Sequence, residues 1–211
     1  KESLFYKSHS SNKENKWFIP LPSAINYSEK ILPLDPYVLG LLLGDGQLKV
    51  DGSNNITACS EDMDFFIAQI PYELGSRYED IRNNNVHNLS IKKISTVIKQ
   101  LGLRGVHTYD KFIPNEYKNS SKEQRLQLLR GLLDTDGSIS KRKLRSVVYL
   151  SNTSKQLIDD VTDLVRSLGG YTTLSIYDSH LKSYKNNKNK VRSYKLFIHL
   201  NESVFNLPRK Q

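Results

Sequence analysis

The chain has 211 residues, of which 31 are Lys or Arg and 22 are Asp or Glu, for a formal net charge of +9. That length suits one large or two small domains with ample core, and no run of eighteen or more apolar residues is present to cross a bilayer. The single cysteine, Cys59, excludes an internal disulfide and a thiolate-rich zinc site and fits a reducing compartment, while the basic excess makes a polyanion, nucleic acid first, the leading partner class.

Residues 1–16 are polar and rich in Ser, Asn and Lys and read as an irregular arm. The amino terminus lacks an apolar core, so no signal peptide is expected. Trp17 and Phe18 would anchor the arm, and Pro20, Pro22, Pro33 and Pro36 make the following stretch extended, because proline biases the residue before it away from helix. Asp35-Pro36 predicts a helix start, with Asp35 as N-cap and the helix running through Asp45. Residues 47–50 and 56–59 form a hairpin around the turn residues Asp51-Gly52-Ser53-Asn54. Apolar spacing predicts a helix over 61–74, a second hairpin from 78–82 and 86–91, and a helix over 94–101 stopped by Gly102.

The second half repeats this order. Ser120 or Ser121 caps a helix through Asp136, with Glu123 supporting either choice. A hairpin around 139–151, a helix over 154–168 ended by Gly169-Gly170, and strands over 171–177 and 191–200 follow, with a final helix expected over 202–207. The fold class is therefore α+β: two pseudo-symmetric αββαββα repeats, 33–118 and 119–211, behind an arm or linker, 1–32.

The chemistry concentrates in one repeated nonamer. Leu129-Arg130-Gly131-Leu132-Leu133-Asp134-Thr135-Asp136-Gly137 is an apolar helix ending in acids, and Val38-Leu39-Gly40-Leu41-Leu42-Leu43-Gly44-Asp45-Gly46 repeats its apolar run, its third-position glycine and its closing Asp-Gly. A glycine such as Gly137 can take the left-handed conformation that ends a helix. Gly40 and Gly44 lie four residues apart, as do Gly131 and Thr135, so two helices could approach closely there and bring Asp45 beside Asp136. Two carboxylates that close repel unless divalent cations lie between them, and Mg²⁺ or Mn²⁺ suits one or two carboxylates completed by water and phosphate oxygens.

The paired nonamers resemble the motif of the LAGLIDADG homing endonucleases, and within them the endonuclease domains of inteins. Three further segments look like intein-endonuclease blocks: Lys111-Phe112-Ile113-Pro114, Glu123 through Leu133, and Ser151 through Gly170. The sixth motif position, usually acidic, is Leu43 in one copy and Asp134 in the other, so the metal site should rest on Asp45 and Asp136 alone. No amino-terminal nucleophile block and no terminal His-Asn are found, so splicing is not expected.

The resemblance implies a site-specific endonuclease that hydrolyses both strands of a long, asymmetric DNA duplex with divalent metal ions, as a monomer, in an intracellular, reducing setting. The alternative is an inactive DNA-binding relative or an RNA maturase. Lys111 resembles the family's central-site lysine, and Lys210 its second-half counterpart, with Arg209 as the alternative. Gln47, just past the first motif, could contact water or phosphate. Two antiparallel sheets would form a basic saddle for the major groove. Candidate contacts are Lys49, Arg77, Tyr78, Arg82 and Asn84 in the first half. In the second they are Ser138, Lys141, Arg142, Lys143, Arg145, Tyr177, Lys182, Tyr184, Arg192 and Lys195. His87, His107, His180 and His199 are scattered and read as surface or strand residues.

Overall fold

Proline and cap chemistry set the first elements. The computed structural model describes residues 6–8, 16–18, 22–80, 83–142, 145–180 and 190–211. Within the arm, β1 (Tyr6–Ser8) pairs antiparallel with β2 (Lys16–Phe18), in register Tyr6 to Phe18, where the polar composition predicts no regular structure. α1 (Pro36–Leu43) starts as expected: Asp35 Oδ1 accepts the Val38 N–H at 3.1 Å and Pro36 enters the first turn. Every residue of α1 after Pro36 is buried, which explains an apolar run without an amphipathic period.

Two hairpins and two helices complete the first repeat. β3 (Gly46–Leu48) pairs with β4 (Asn54–Cys59), and α2 (Ser60–Gln69) follows. α2 ends earlier than its apolar spacing predicts, because Ile70, before Pro71, is extended; Leu74 therefore opens β5 (Leu74–Asp80) instead of closing the helix. β6 (Asn83–Ile91) and α3 (Ser95–Gln100) come next, and Gly102 ends α3 at φ +72°. A 3-10 turn at Thr108–Asp110 and the short α4 (Asn115–Lys118) lead to the second half.

α5 (Lys122–Asp136) is capped by Ser121, and the reciprocal partner is Gln124, not Glu123. Ser121 Oγ accepts the Gln124 N–H at 3.3 Å, and Gln124 Oε1 accepts the Ser121 N–H at 3.1 Å. β7 (Gly137–Arg142), β8 (Arg145–Asn152), α6 (Lys155–Ser167), β9 (Tyr171–His180) and β10 (Lys190–His199) repeat the earlier order. The two four-stranded antiparallel sheets have matching orders, β3-β4-β6-β5 and β7-β8-β10-β9. The final α-helix expected over 202–207 is absent. The N–H groups of Asn206 and Leu207 donate instead to the Asp134 carboxylate, and the chain closes in a 3-10 turn at Pro208–Lys210.

The repeats meet through α1 and α5, and glycine permits the contact. A Cβ on Gly40 would lie 2.3 Å from the Leu128 carbonyl oxygen, and one on Gly131 would lie 2.1 Å from that of Tyr37. The motif-ending glycines serve a different purpose from the left-handed turn anticipated for them. Gly137 is extended, at φ −77° and ψ 149°, and a Cβ there would lie 2.4 Å from the Leu133 carbonyl; at Gly46 it would lie 2.2 Å from that of Leu42. Each glycine lets a strand start directly against the last helical turn.

The segment 22–35 is held by side chains that the sequence pattern did not single out. Arg125 is fully buried. It donates to the carbonyls of Ser120 at 2.9 Å and Ser167 at 2.8 Å, reaches the Ser167 hydroxyl and the Ile25 carbonyl, and lies over the Tyr27 ring. The Tyr117 hydroxyl donates to the Leu34 carbonyl at 2.9 Å and accepts the Leu34 N–H at 3.0 Å.

Candidate active site and nucleic-acid interface

α1 stops at Leu43, and Asp45 stands at the turn into β3; α5 continues to Asp136, beside the first residue of β7. Because the helices touch at Gly40 and Gly131, the two aspartates meet closely enough for the charge of one to act on the other. Burial, then the charge of Asp45, pushes the Asp136 carboxyl up to about 6, against the pull of Lys111, Asn152 and Lys210. Burial also raises Asp45, against Lys111 and Lys210, although one side of Asp45 is open to solvent.

The pair is not symmetric. Asn152 Nδ2 donates to Asp136 Oδ2 at 3.1 Å, while Asn152 Oδ1 accepts the Ser154 N–H at 2.8 Å, fixing the amide. Gly46 pairs with Ile56 as Gly137 pairs with Leu150, so the counterpart of Asn152 in the first repeat is Ala58. Asn152 was not singled out in the sequence; only the strand register reveals it.

Both lysines expected at the site are there. Lys111 is 3% exposed and Lys210 9%. Lys111 Nζ donates to the carbonyls of Gly44 at 2.7 Å and Gly46 at 3.2 Å, with Leu42 at 3.4 Å. Lys210 Nζ donates to those of Asp134 and Gly137 at 2.7 Å, Leu133 at 3.0 Å and Thr135 at 3.1 Å. Each ammonium thus caps the carboxyl end of its own repeat's motif helix, where unpaired carbonyls and the helix dipole favour a cation. Burial lowers both lysines' pKa values; for Lys111 the pull of Asp136 and Asp45 acts in the opposite direction. Arg209 is drawn elsewhere, into a two-pronged pair with Asp62 that includes an Nε to Oδ1 contact of 2.6 Å.

Asp134, two residues from Asp136, has a structural task. It accepts the Tyr37 hydroxyl at 2.7 Å and the N–H groups of Asn206 and Leu207, so it ties α1 and the carboxyl-terminal segment to α5. Among the described residues, no group of three or more His, Cys, Asp or Glu side chains could hold a metal ion.

Strand alternation decides which expected contacts share the face away from the helices. On the first sheet that face presents Gln47, Asn55, Thr57, Tyr78, Asn88 and Ser90. Gln47 donates to Asn88 Oδ1 at 3.3 Å, Thr57 to the same oxygen at 2.8 Å, and Asn55 to the Tyr78 hydroxyl at 3.2 Å. Arg77 has the opposite parity, level with the core residue Leu89, and pairs with Asp64 of α2 at 2.6 Å. It is therefore not on the saddle. Lys49 is exposed just after β3.

On the second sheet Ser138, Tyr177 and Lys195 share the outer face with Tyr149 and Phe197. Lys195 Nζ sits 3.7 Å from the Tyr149 ring centre. Arg192 has the opposite parity, with Leu196 and Ile198, and pairs with Asp178 at 2.8 Å, so it too leaves the saddle. Arg82, Asn84, Lys141, Arg142, Lys143, Arg145, Lys182 and Tyr184 lie outside the residues whose side chains are described.

Two repeats seamed by a glycine-faced helix pair, with sheets flanking it and an aspartate ending each motif, define the LAGLIDADG class of fold. A family model described as LAGLIDADG-like domain matches residues 123–201, the second repeat, and the first repeat has the same order of helices and strands.

The relatives extend the comparison. A replicative DNA helicase DnaB of Mycobacterium intracellulare is 31% identical over 146 residues, which is 69% of this chain and 21% of the relative. The uncharacterized protein MJ0314 of Methanocaldococcus jannaschii is 25% identical over 156 residues, 71% of this chain and 59% of that protein. The chain thus spans about a fifth of the helicase's length. Among solved structures, the homing endonuclease I-DmoI in complex with DNA and Mn is similar at 19% identity and a TM-score of 0.48, covering 79% of this chain and 89% of that one. No described helix is long and apolar enough to cross a membrane.

Proposed function

We propose that this protein is a site-specific homing endonuclease that hydrolyses one phosphodiester in each strand of a long, asymmetric DNA duplex, acting as a pseudo-symmetric monomer with Mg²⁺ or Mn²⁺. One observation carries the reading: Asp45 and Asp136 converge from two repeats at the ends of paired helices, each helix end holding a buried lysine. A structural role alone does not account for two acids kept together at a free-energy cost.

The donor set fits a hard divalent ion. Two carboxylates meet with one side open, and a divalent ion held by Asp45 and Asp136 would relieve their mutual repulsion. When bound, such an ion activates water and stabilises charge at the phosphodiester. The chain's own residues do the positioning. Asn152 fixes the orientation of Asp136. Lys111 and Lys210 have their three protons directed at backbone carbonyls, so they act through space, offsetting charge that builds on the phosphate, and not as bases. Gln47, on the outer face beside the first motif, is placed to contact the DNA strand or a water.

The deciding experiment incubates the protein with a duplex library and Mg²⁺, with Asp45→Asn and Asp136→Asn alongside. Cleavage by the wild type alone is expected. Undiminished cleavage by either variant would rule out the shared site, and tight specific binding without cleavage would favour the inactive DNA-binding alternative.

A further inference from the structure

The outer faces of the two sheets differ in chemistry. At the centre of the first are amides and hydroxyls: Gln47, Asn55, Thr57, Asn88 and Ser90. Asn55 and Asn88 are 5% and 4% exposed, and their bonds to Tyr78, Gln47 and Thr57 fix how the amides point. The second centres on Val147, Tyr149 and Phe197, which share a cleft of about 390 Å³ with the polar side chains of Ser140, Thr173, Tyr177, Lys195 and His199. The Tyr149 and Phe197 rings are 6.1 Å apart, and the Lys195 ammonium lies over both. This cleft is on the face away from the helices, so the hydrophobic core does not explain why Val147, Tyr149 and Phe197 stand there.

Resting on the endonuclease reading above, we infer that the two halves of the saddle read different base chemistry: the first sheet by hydrogen bonds from polar side chains, and the second by contact of Val147, Tyr149 and Phe197 with thymine methyl groups. The major groove offers one apolar group to such a cleft, the C5-methyl of thymine, whereas its base-edge donors and acceptors suit the polar side chains of the first sheet. Lys195, held over the rings, supplies the charge that keeps this apolar face attractive to a polyanion.

The test begins by selecting duplexes from a randomised library with the wild-type protein in EDTA, so that binding is read without cleavage. Deoxyuridine then replaces thymidine in one half of the selected target at a time, which removes methyl groups and nothing else. The expected result is a loss in one half only, about fourfold in Kd for each methyl contacted. In Phe197→Asn, with folding checked by circular dichroism and thermal melting, the same half should become insensitive; Tyr149→Asn serves if that variant does not fold.

Equal losses in both halves, no loss in either, or sensitivity that persists in a folded variant overturns the inference and leaves the endonuclease reading standing. Failure of the library to enrich any duplex overturns both.

Discussion

Gly40 and Gly131 face each other across the helix pair at the centre of the molecule, so close that a Cβ on Gly40 would lie 2.9 Å from the Gly131 Cα. The obstacles on either side are backbone atoms, which no rotamer change can move. Gly131→Ala should therefore force the helices apart and cost about 3 kcal/mol or more, at or above the upper end of ordinary overpacking. Gly44→Ala should cost less, because its nearest neighbours belong to the Thr135 side chain. Urea unfolding of the two variants checks the order.

Asp134 holds three partners from two other parts of the chain: the Tyr37 hydroxyl and the N–H groups of Asn206 and Leu207. Asp134→Leu, which copies Leu43 of the first motif, would leave these buried donors without an acceptor. A loss of about 2 to 4 kcal/mol is expected from their combined desolvation, measured by thermal or chemical denaturation.

Asp136 makes stability depend on pH in an unusual direction. Its carboxyl titrates at about 6 in the folded chain, above its ordinary value of 3.8, so the folded state binds more protons than the unfolded one between those values. Its relative contribution is fully present below 3.8 and is lost as pH rises through about 6. In EDTA, Asp136→Asn should melt a few degrees above the wild type at pH 7.5, with the gap closing by pH 4.5. Adding Mg²⁺ at pH 7.5 should raise the wild-type Tm more than the variant's.

Lys111 and Lys210 each neutralise a buried helix end. Lys111→Met keeps the stem and removes the charge, leaving the carbonyls of Gly44 and Gly46 without this donor. A loss of about 1 to 3 kcal/mol in stability is expected, with a fall in DNA cleavage rate beyond what the lower folded fraction explains. Single-turnover assays well below Tm separate the two effects.

The amide of Asn152 steadies Asp136, whereas Ala58 offers Asp45 nothing comparable. Asn152→Ala should impair the two strand cleavages unequally, so that nicked DNA accumulates on a supercoiled plasmid carrying the target. Equal slowing of both strands would count against the asymmetry.

Much of this protein is set within a few residues along the chain, and that part is legible in the sequence. The Asp35 cap, the Gly102 stop, the hairpin order and the spacing of Gly40, Gly131 and the motif aspartates are local or periodic signals, and the structure follows them. Tertiary packing decided what no local signal encodes. Lys111 reaches Gly46 across 65 positions of sequence and Lys210 reaches Gly137 across 73, and Asn206 gives up a helix because Asp134, 72 positions away, is a better acceptor for its N–H. Register likewise turned Arg77 and Arg192 from the saddle toward acidic partners and brought Asn152 to Asp136. Propensity and spacing fix each element, but the direction a side chain faces and the buried group it must satisfy are known only once the elements have packed.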